Sequence, residues 1–163
     1  MENMEKNGID PNSEYLSAEA FKEMEAELKH LINVRRREIS DKLKDSSSQG
    51  DLSENAEYQE AKDDQMMNEG RIAELEDLLS RAVIISNEKK KRNQVELGCS
   101  VVLKKDGADH TYQLVGSEEA DPLKNKISNQ SPLGLALLGK KKGEKAKVVT
   151  PSGEVVYTVK DIQ

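Results

Sequence analysis

Residues 17–44 run for about eight helical turns without a Gly or Pro, and Phe21, Met24, Leu28, Leu31, Ile32, Ile39 and Leu43 recur through them at helical spacing. The seam begins on a seven-residue repeat and then drifts by one position, as a nearly straight helix requires. Ser17 is placed as its N-cap, with Glu19 in the first turn. The run stops at residues 45–50, a cluster of turn formers with three serines and a glycine. A second helical pattern opens at Asp51 and lasts to about Ser80, with Met67, Ile72, Leu75, Leu79 and Ala82 on its inner face. Each helix would be about 40 Å long. Two such helices joined by a short turn lie antiparallel and bury their seams against each other.

Composition agrees with an elongated molecule. Of 163 residues, 34% are charged and 35% hydrophobic, with no Trp and one Phe, so aromatic side chains cannot fill a large core. No run approaches the roughly 20 apolar residues of a membrane span. One cysteine, Cys99, excludes an internal disulfide framework and a Cys-cluster zinc site, and two histidines leave little for His-based chemistry. A cytoplasmic protein is expected, with no membrane partner and as a monomer. The charge is uneven: residues 1–83 carry 21 acidic and 11 basic side chains, a net of −10, whereas residues 84–163 carry 10 and 14, a net of +4. That split suggests two modules with different tasks.

The second module reads as a small β-rich domain, giving an α+β fold class overall. Residues 1–15 form a polar tail, 16–86 the hairpin with its tip at 45–58, 87–96 a linker containing a basic run, and 97–163 the second domain. Residues 99–104, 111–115, 145–149 and 155–159 are short, rich in β-branched residues and bounded by turn formers. Ser131 as N-cap and Pro132 at the first helical position open a short helix that Gly139 ends. One helix on a four-stranded antiparallel sheet is the expected arrangement.

The chemistry-bearing pattern lies at the hairpin tip. Residues 50–58, Gly-Asp-Leu-Ser-Glu-Asn-Ala-Glu-Tyr, set Asp51 and Glu54 three residues apart at a helix start. That spacing puts both carboxylates on one face, and two hard oxygen donors suit Mg²⁺, which commonly takes one or two protein carboxylates. The same pattern is also a capping box. Spacing alone leaves both readings open.

Residues 50–58, continued by 59–62, resemble the tip of the bacterial Gre transcript-cleavage factors, most closely the GreA type. The similarity extends over residues 16–85 and resumes through 115–121, 127–139 and 150–162. The resemblance implies an N-terminal coiled-coil hairpin followed by a small FKBP-like domain. It also implies a role at RNA polymerase: the hairpin enters the secondary channel of a backtracked enzyme and stimulates Mg²⁺-dependent cleavage of the extruded 3′ RNA, so that elongation resumes. Asp51 and Glu54 would be the catalytic and metal-holding pair, sharing Mg²⁺ with the polymerase active site. The protein would be no enzyme by itself, and its contact with nucleic acid would come through the polymerase complex.

The resemblance further implies RNA contacts at Tyr58, as an aromatic surface, and Lys62, as a phosphate contact. Hairpin packing for Tyr58 and a plain surface position for Lys62 are the alternatives. Docking on polymerase is expected through the loop 118–122, with Glu119, Asp121 and Pro122, and through Ser131 and Pro132. In one respect the chain departs from the family, with Ser46, Ser47 and Ser48 standing where relatives often carry a basic residue. A secondary-channel binder that inhibits polymerase without promoting cleavage is the alternative function. An intact Asp51 and Glu54 speak against it. A prolyl isomerase would need an aromatic-lined pocket, for which residues 97–163 offer only Tyr112 and Tyr157.

Overall fold

The structure, a computed structural model, describes residues 9–10, 12–47, 56–85, 92–105, 107–150 and 153–163. They divide into two compact units, Phe21–Ser80 forming one and the described residues up to Ala20 with Arg81–Gln163 the other.

The first unit is the helical hairpin. Helix α1 (Ala18–His30), a π turn over Leu31–Arg35 and helix α2 (Arg36–Ser47) follow without a break, and α3 (Ala56–Ser80) packs against them. Ser17 caps α1 as expected, its Oγ accepting from the Ala20 N–H at 3.1 Å. The drift in the seam is absorbed in the π turn, whose wider turn takes an extra residue between Leu28 and the buried Ile39. The first helix also runs past its expected stop at Asp45. Ser46 and Ser47 sit inside α2, their hydroxyls donating to the carbonyls of Lys42 and Lys44, both at 2.8 Å. A serine that bonds back to the preceding turn continues the helix instead of ending it.

On α3 the buried face is Ala61, Asn68, Ile72, Leu75 and Leu78. Met67, expected inside, is 73% exposed. The face through Ala61, Ile72 and Leu75 passes one residue further on, about 100° around the helix, and so buries Asn68. The amide of Asn68 has no hydrogen-bond partner among the described residues, an arrangement that costs stability. Leu79 is half-buried, and α3 ends at Ser80, so Ala82 belongs to a strand.

Paired charges fix the register of the two arms. The Arg36 guanidinium donates to both oxygens of Glu69 at 2.7 and 2.6 Å. Arg71 does the same to Glu27 at 2.8 and 3.0 Å, and Arg35 reaches Asp64 at 2.9 Å. The forked guanidinium matches a carboxylate in one geometry, so these pairs specify alignment more than they add stability at an exposed surface. Hydrogen bonds from Arg71 and Arg36 hold Glu27 and Glu69 below the usual carboxylate range. Gly70, in the interior of α3, has nothing within 4 Å of where a Cβ would lie. Gly70→Ala is therefore expected to stabilise the hairpin by about 0.5–1 kcal/mol, read as a raised midpoint in urea unfolding.

The second unit holds a five-stranded sheet of order β5-β4-β3-β7-β6, built from β3 (Ser100–Lys105), β4 (Ala108–Val115), β5 (Lys126–Ser128), β6 (Lys145–Thr150) and β7 (Gly153–Ile162). The four expected strands are present, and their mutual pairings are antiparallel. The fifth, β5, was not expected and pairs parallel with β4. Val101 and Leu103 alternate inward and join Cys99, Leu114, Ala146 and Val159 beneath helix α4 (Pro132–Leu137), which contributes Leu137. Ser131 caps α4 as expected, accepting from the Gly134 N–H at 3.0 Å.

A further two-stranded parallel ribbon joins β1 (Glu14–Ser17) to β2 (Ala82–Ile85). Leu16 in β1 is fully buried, and Ile9, within the stretch expected to be a tail, joins the core of this unit. Val95, expected in the linker, does so too. Ordered structure thus begins earlier than polarity alone suggests, because single apolar residues in a polar stretch find a partner surface.

Candidate functional site

Asp51 and Glu54 lie outside the described residues, as do Ser48, Gln49 and Gly50. Among the described residues no group of three or more His, Cys, Asp or Glu side chains comes together to hold a metal ion.

What the structure describes of the tip region is the start of α3. Tyr58 and Lys62 stand one turn apart, and the Lys62 Nζ lies 5.4 Å from the centroid of the Tyr58 ring. A cation over an aromatic face is attracted by the ring quadrupole, so each side chain holds the other in place. Tyr58 is half-buried and Lys62 exposed. Both line a groove of about 300 Å³ whose other wall is α2, with Ser40, Leu43, Lys44 and Ser47 on that side. The structure therefore brings these two side chains together with residues of the first arm.

The expected docking residues fall at two 3₁₀ turns and at the start of α4, and most of their polar groups serve the fold. Glu119 ends a short 3₁₀ turn, Ser117–Glu119, and its carboxylate accepts from the Ser17 N–H at 2.6 Å and from the Ser17 hydroxyl at 2.7 Å. Asp121 caps a second 3₁₀ turn, Pro122–Lys124, accepting from the Leu123 N–H at 3.0 Å and pairing with Lys124 at 3.1 Å. The Lys124 contact and the Leu123 amide hold the Asp121 carboxyl below its ordinary range. Ser131 is committed to the α4 cap and also donates to the Ser128 carbonyl at 2.7 Å. Pro122 and Pro132 are exposed.

One residue at this surface escapes sequence reading. Leu123 is 96% exposed at the apex of the second turn, held there by the Asp121 cap and by Asn125 in the left-handed region at φ 55°. A lone leucine in a loop carries no pattern. The one available signal is Asp-Pro before it, which marks a capped turn and so an outward apex. In the hairpin, the place of Lys44 in the groove is likewise hidden from the sequence, since it depends on how the two arms align.

The transcription elongation factor N-terminal family of GreA and GreB matches residues 14–84, and the corresponding C-terminal family matches residues 89–163. Transcription elongation factor GreA of Shouchella clausii is 46% identical over 151 residues, covering 91% of this chain and 96% of that protein. GreA of Thermoanaerobacter pseudethanolicus is 45% identical over 150 residues, covering 91% and 96%. Among solved structures, GreA factor homolog 1 of Thermus thermophilus is 30% identical over 93% of this chain and 99% of that one, with a TM-score of 0.42.

Proposed function

The chain belongs to the GreA/GreB family of transcription elongation factors, and from that premise we propose that it is an accessory factor of bacterial RNA polymerase that stimulates cleavage of the extruded 3′ RNA in backtracked complexes. It would act in the cytoplasm, as a monomer, with its hairpin in the secondary channel and the hydrolytic site belonging to the polymerase. The observation that carries this reading is the intact block at residues 50–58, with Asp51 and Glu54, between two arms whose register is set by ion pairs.

Mg²⁺ fits the donor set. Two carboxylates three residues apart present hard oxygens on one face, which is the one or two protein ligands that Mg²⁺ commonly accepts. Such a pair is an incomplete site, useful where another protein contributes the remaining ligands. Asp51 and Glu54 would hold the ion, whose chemistry when bound is that of the two-metal hydrolysis of a phosphodiester. Tyr58 would offer its ring to a base of the extruded RNA, and Lys62 its charge to a phosphate. The paired arginines keep the arms aligned, and alignment of the arms determines where the tip residues stand.

Docking would fall to the second unit. Because Glu119, Asp121 and Ser131 are occupied within the fold, the exposed apolar groups Pro122, Leu123 and Pro132 are the better contacts. Leu123→Ser is expected to weaken polymerase binding roughly tenfold, the loss of one well-placed apolar anchor, at an unchanged melting temperature. Binding equal to the parent would move the docking site elsewhere. The test of the function itself is RNA cleavage by stalled, backtracked polymerase with and without the protein. No acceleration would refute it.

A further inference from the structure

We infer, building on the cleavage reading above, that the hairpin bends at a hinge in its shaft, formed by the π turn of the first arm with Asn68 and Gly70 of the second. Asn68 is thereby a positioning residue for cleavage, since the hinge sets where the tip stands. Three departures from regular helix packing meet at one level. On the first arm the π turn, Leu31–Arg35, lies between Glu27 and Arg36. On the second arm Gly70 lies between Glu69 and Arg71, the partners of those two side chains. Helix α3 packs against the π turn, and Asn68 stands next to Glu69. The buried apolar residues of the hairpin divide around this level. Ile72, Leu75 and Leu78 lie on the base side, and Ile39 and Ala61 on the tip side, while no residue of the π turn is fully buried. Between Ala61 and Ile72 the buried residue of α3 is Asn68.

Each feature lowers the cost of a bend. A π turn interrupts regular helical bonding, here by closing the Arg36 N–H on the Leu31 carbonyl five residues back, and such turns are a cause of helix kinks. Gly70 brings the backbone freedom of glycine into a helix interior, and the space beside it is open. Asn68 supplies the drive. It is 6% exposed, and neither its amide nitrogen nor its oxygen has a partner among the described residues. A straight shaft holds that amide dry and unpaired, which is unfavourable. Bending at this level opens the seam and lets water bond to the amide, so the bent form recovers what the straight form gives up. An apolar side chain in the same place would favour the straight form alone. The pairs Arg36–Glu69 and Arg71–Glu27 clamp the joint from outside, with all four side chains at least 40% exposed. Pairs so wet are weak, so they restrain the bend without preventing it. A rigid shaft would carry Asp51 and Glu54 in one direction only, whereas a jointed one lets the polymerase fix where the pair comes to rest.

The test places spin labels on the full chain at Lys22→Cys and Lys44→Cys, about 33 Å apart along the first arm and on either side of the π turn. The native Cys99 is fully buried. Pulsed dipolar spectroscopy should give a broad or two-peaked distance distribution for the parent. Asn68→Leu combined with Gly70→Ala replaces the unpaired amide by an apolar group of similar shape and the glycine by a helix former. This double variant should narrow the distribution to one peak and raise the thermal midpoint. With stalled, backtracked polymerase, it is expected to lower the maximal cleavage rate at least about threefold, since hinge residues govern such steps. The half-saturating protein concentration should stay near the parent's, because docking belongs to the second unit. Asn68→Ser keeps a polar group that favours bent helices and should retain the parent's rate. A more stable protein that stimulates less cleavage is a result that packing alone does not produce. A single narrow peak for the parent overturns the hinge, and so does a distribution that the double variant leaves unchanged. Narrowing with full cleavage overturns the positioning role of Asn68. If the parent itself fails to stimulate cleavage, the functional reading falls, while the distances still decide the hinge.

Discussion

Replacing Asp51 with Asn, or Glu54 with Gln, is expected to reduce stimulated RNA cleavage by more than the roughly 10–100-fold that changes beyond the ligands themselves cost a metal site. Melting temperature and polymerase binding should stay with the parent. The substitutions are chosen to separate two roles that share one spacing. Asn caps a helix about as well as Asp, and Gln can occupy the third position of a capping box. Each change removes a negative charge and alters little that a helix start requires. Raised Mg²⁺ should restore part of the lost activity if the defect is weakened recruitment of the ion. Full cleavage by the double variant would end the metal-ligand assignment. A lowered melting temperature with intact cleavage would leave the pair as a cap.

The extent to which this molecule can be read from its sequence follows from the range over which each element is stabilised. The hairpin was legible because its apolar positions repeat over many turns, and Ser17 and Ser131 were legible because a cap is decided within three or four residues. The ribbon β1–β2 was not, since the four residues Ala-Val-Ile-Ile of β2 have no alternation, and Ala82 falls at helical spacing from Leu75 and Leu79. Their order comes from pairing with Glu14–Ser17, 68 residues earlier in the chain at every pair from Glu14–Ala82 to Ser17–Ile85. The three-residue β5 is invisible for the same reason. Asn68 shows a different failure: Met67 is the more apolar neighbour, yet the geometry of the face buries the amide. At the candidate site, Asp51 and Glu54 were suggested by spacing, and Tyr58 and Lys62 by resemblance. Lys44 could not be found that way, because a groove between two arms exists only after their register is set, and register resides in Arg36–Glu69 and Arg71–Glu27. Nor could the sequence show that the carboxylates of Glu119 and Asp121 are engaged within the fold, by Ser17 and by Leu123 and Lys124.

Gly116→Ala is expected to be the most damaging single methyl in the second unit. Gly116 is buried, with φ −65° and ψ 167°, an extended conformation open to any residue. Space, and not conformation, demands the glycine. A Cβ would lie 1.7 Å from the Tyr15 carbonyl oxygen and 2.8 Å from its carbon. Both are backbone atoms of β1, so no side-chain rotation relieves the overlap, and the strand itself must move. Movement of β1 disturbs Leu16, which is fully buried, and then Ser17, whose N–H and hydroxyl are both held by Glu119. Ser17 in turn caps α1. Overpacking of this kind costs about 1–3 kcal/mol or more, and a lost cap adds about 1 kcal/mol. At roughly 4–8 °C per kcal/mol for a domain of 60–100 residues, the thermal midpoint of this unit should fall by more than about 10 °C. Hydrogen exchange should quicken first at the β1 and β2 amides, while the amides of α2 and α3 keep their protection. Gly70→Ala serves as the opposite control, because there the same methyl enters open space. A Gly116→Ala protein that melts with the parent would show that β1 does not approach this backbone as closely as the geometry requires.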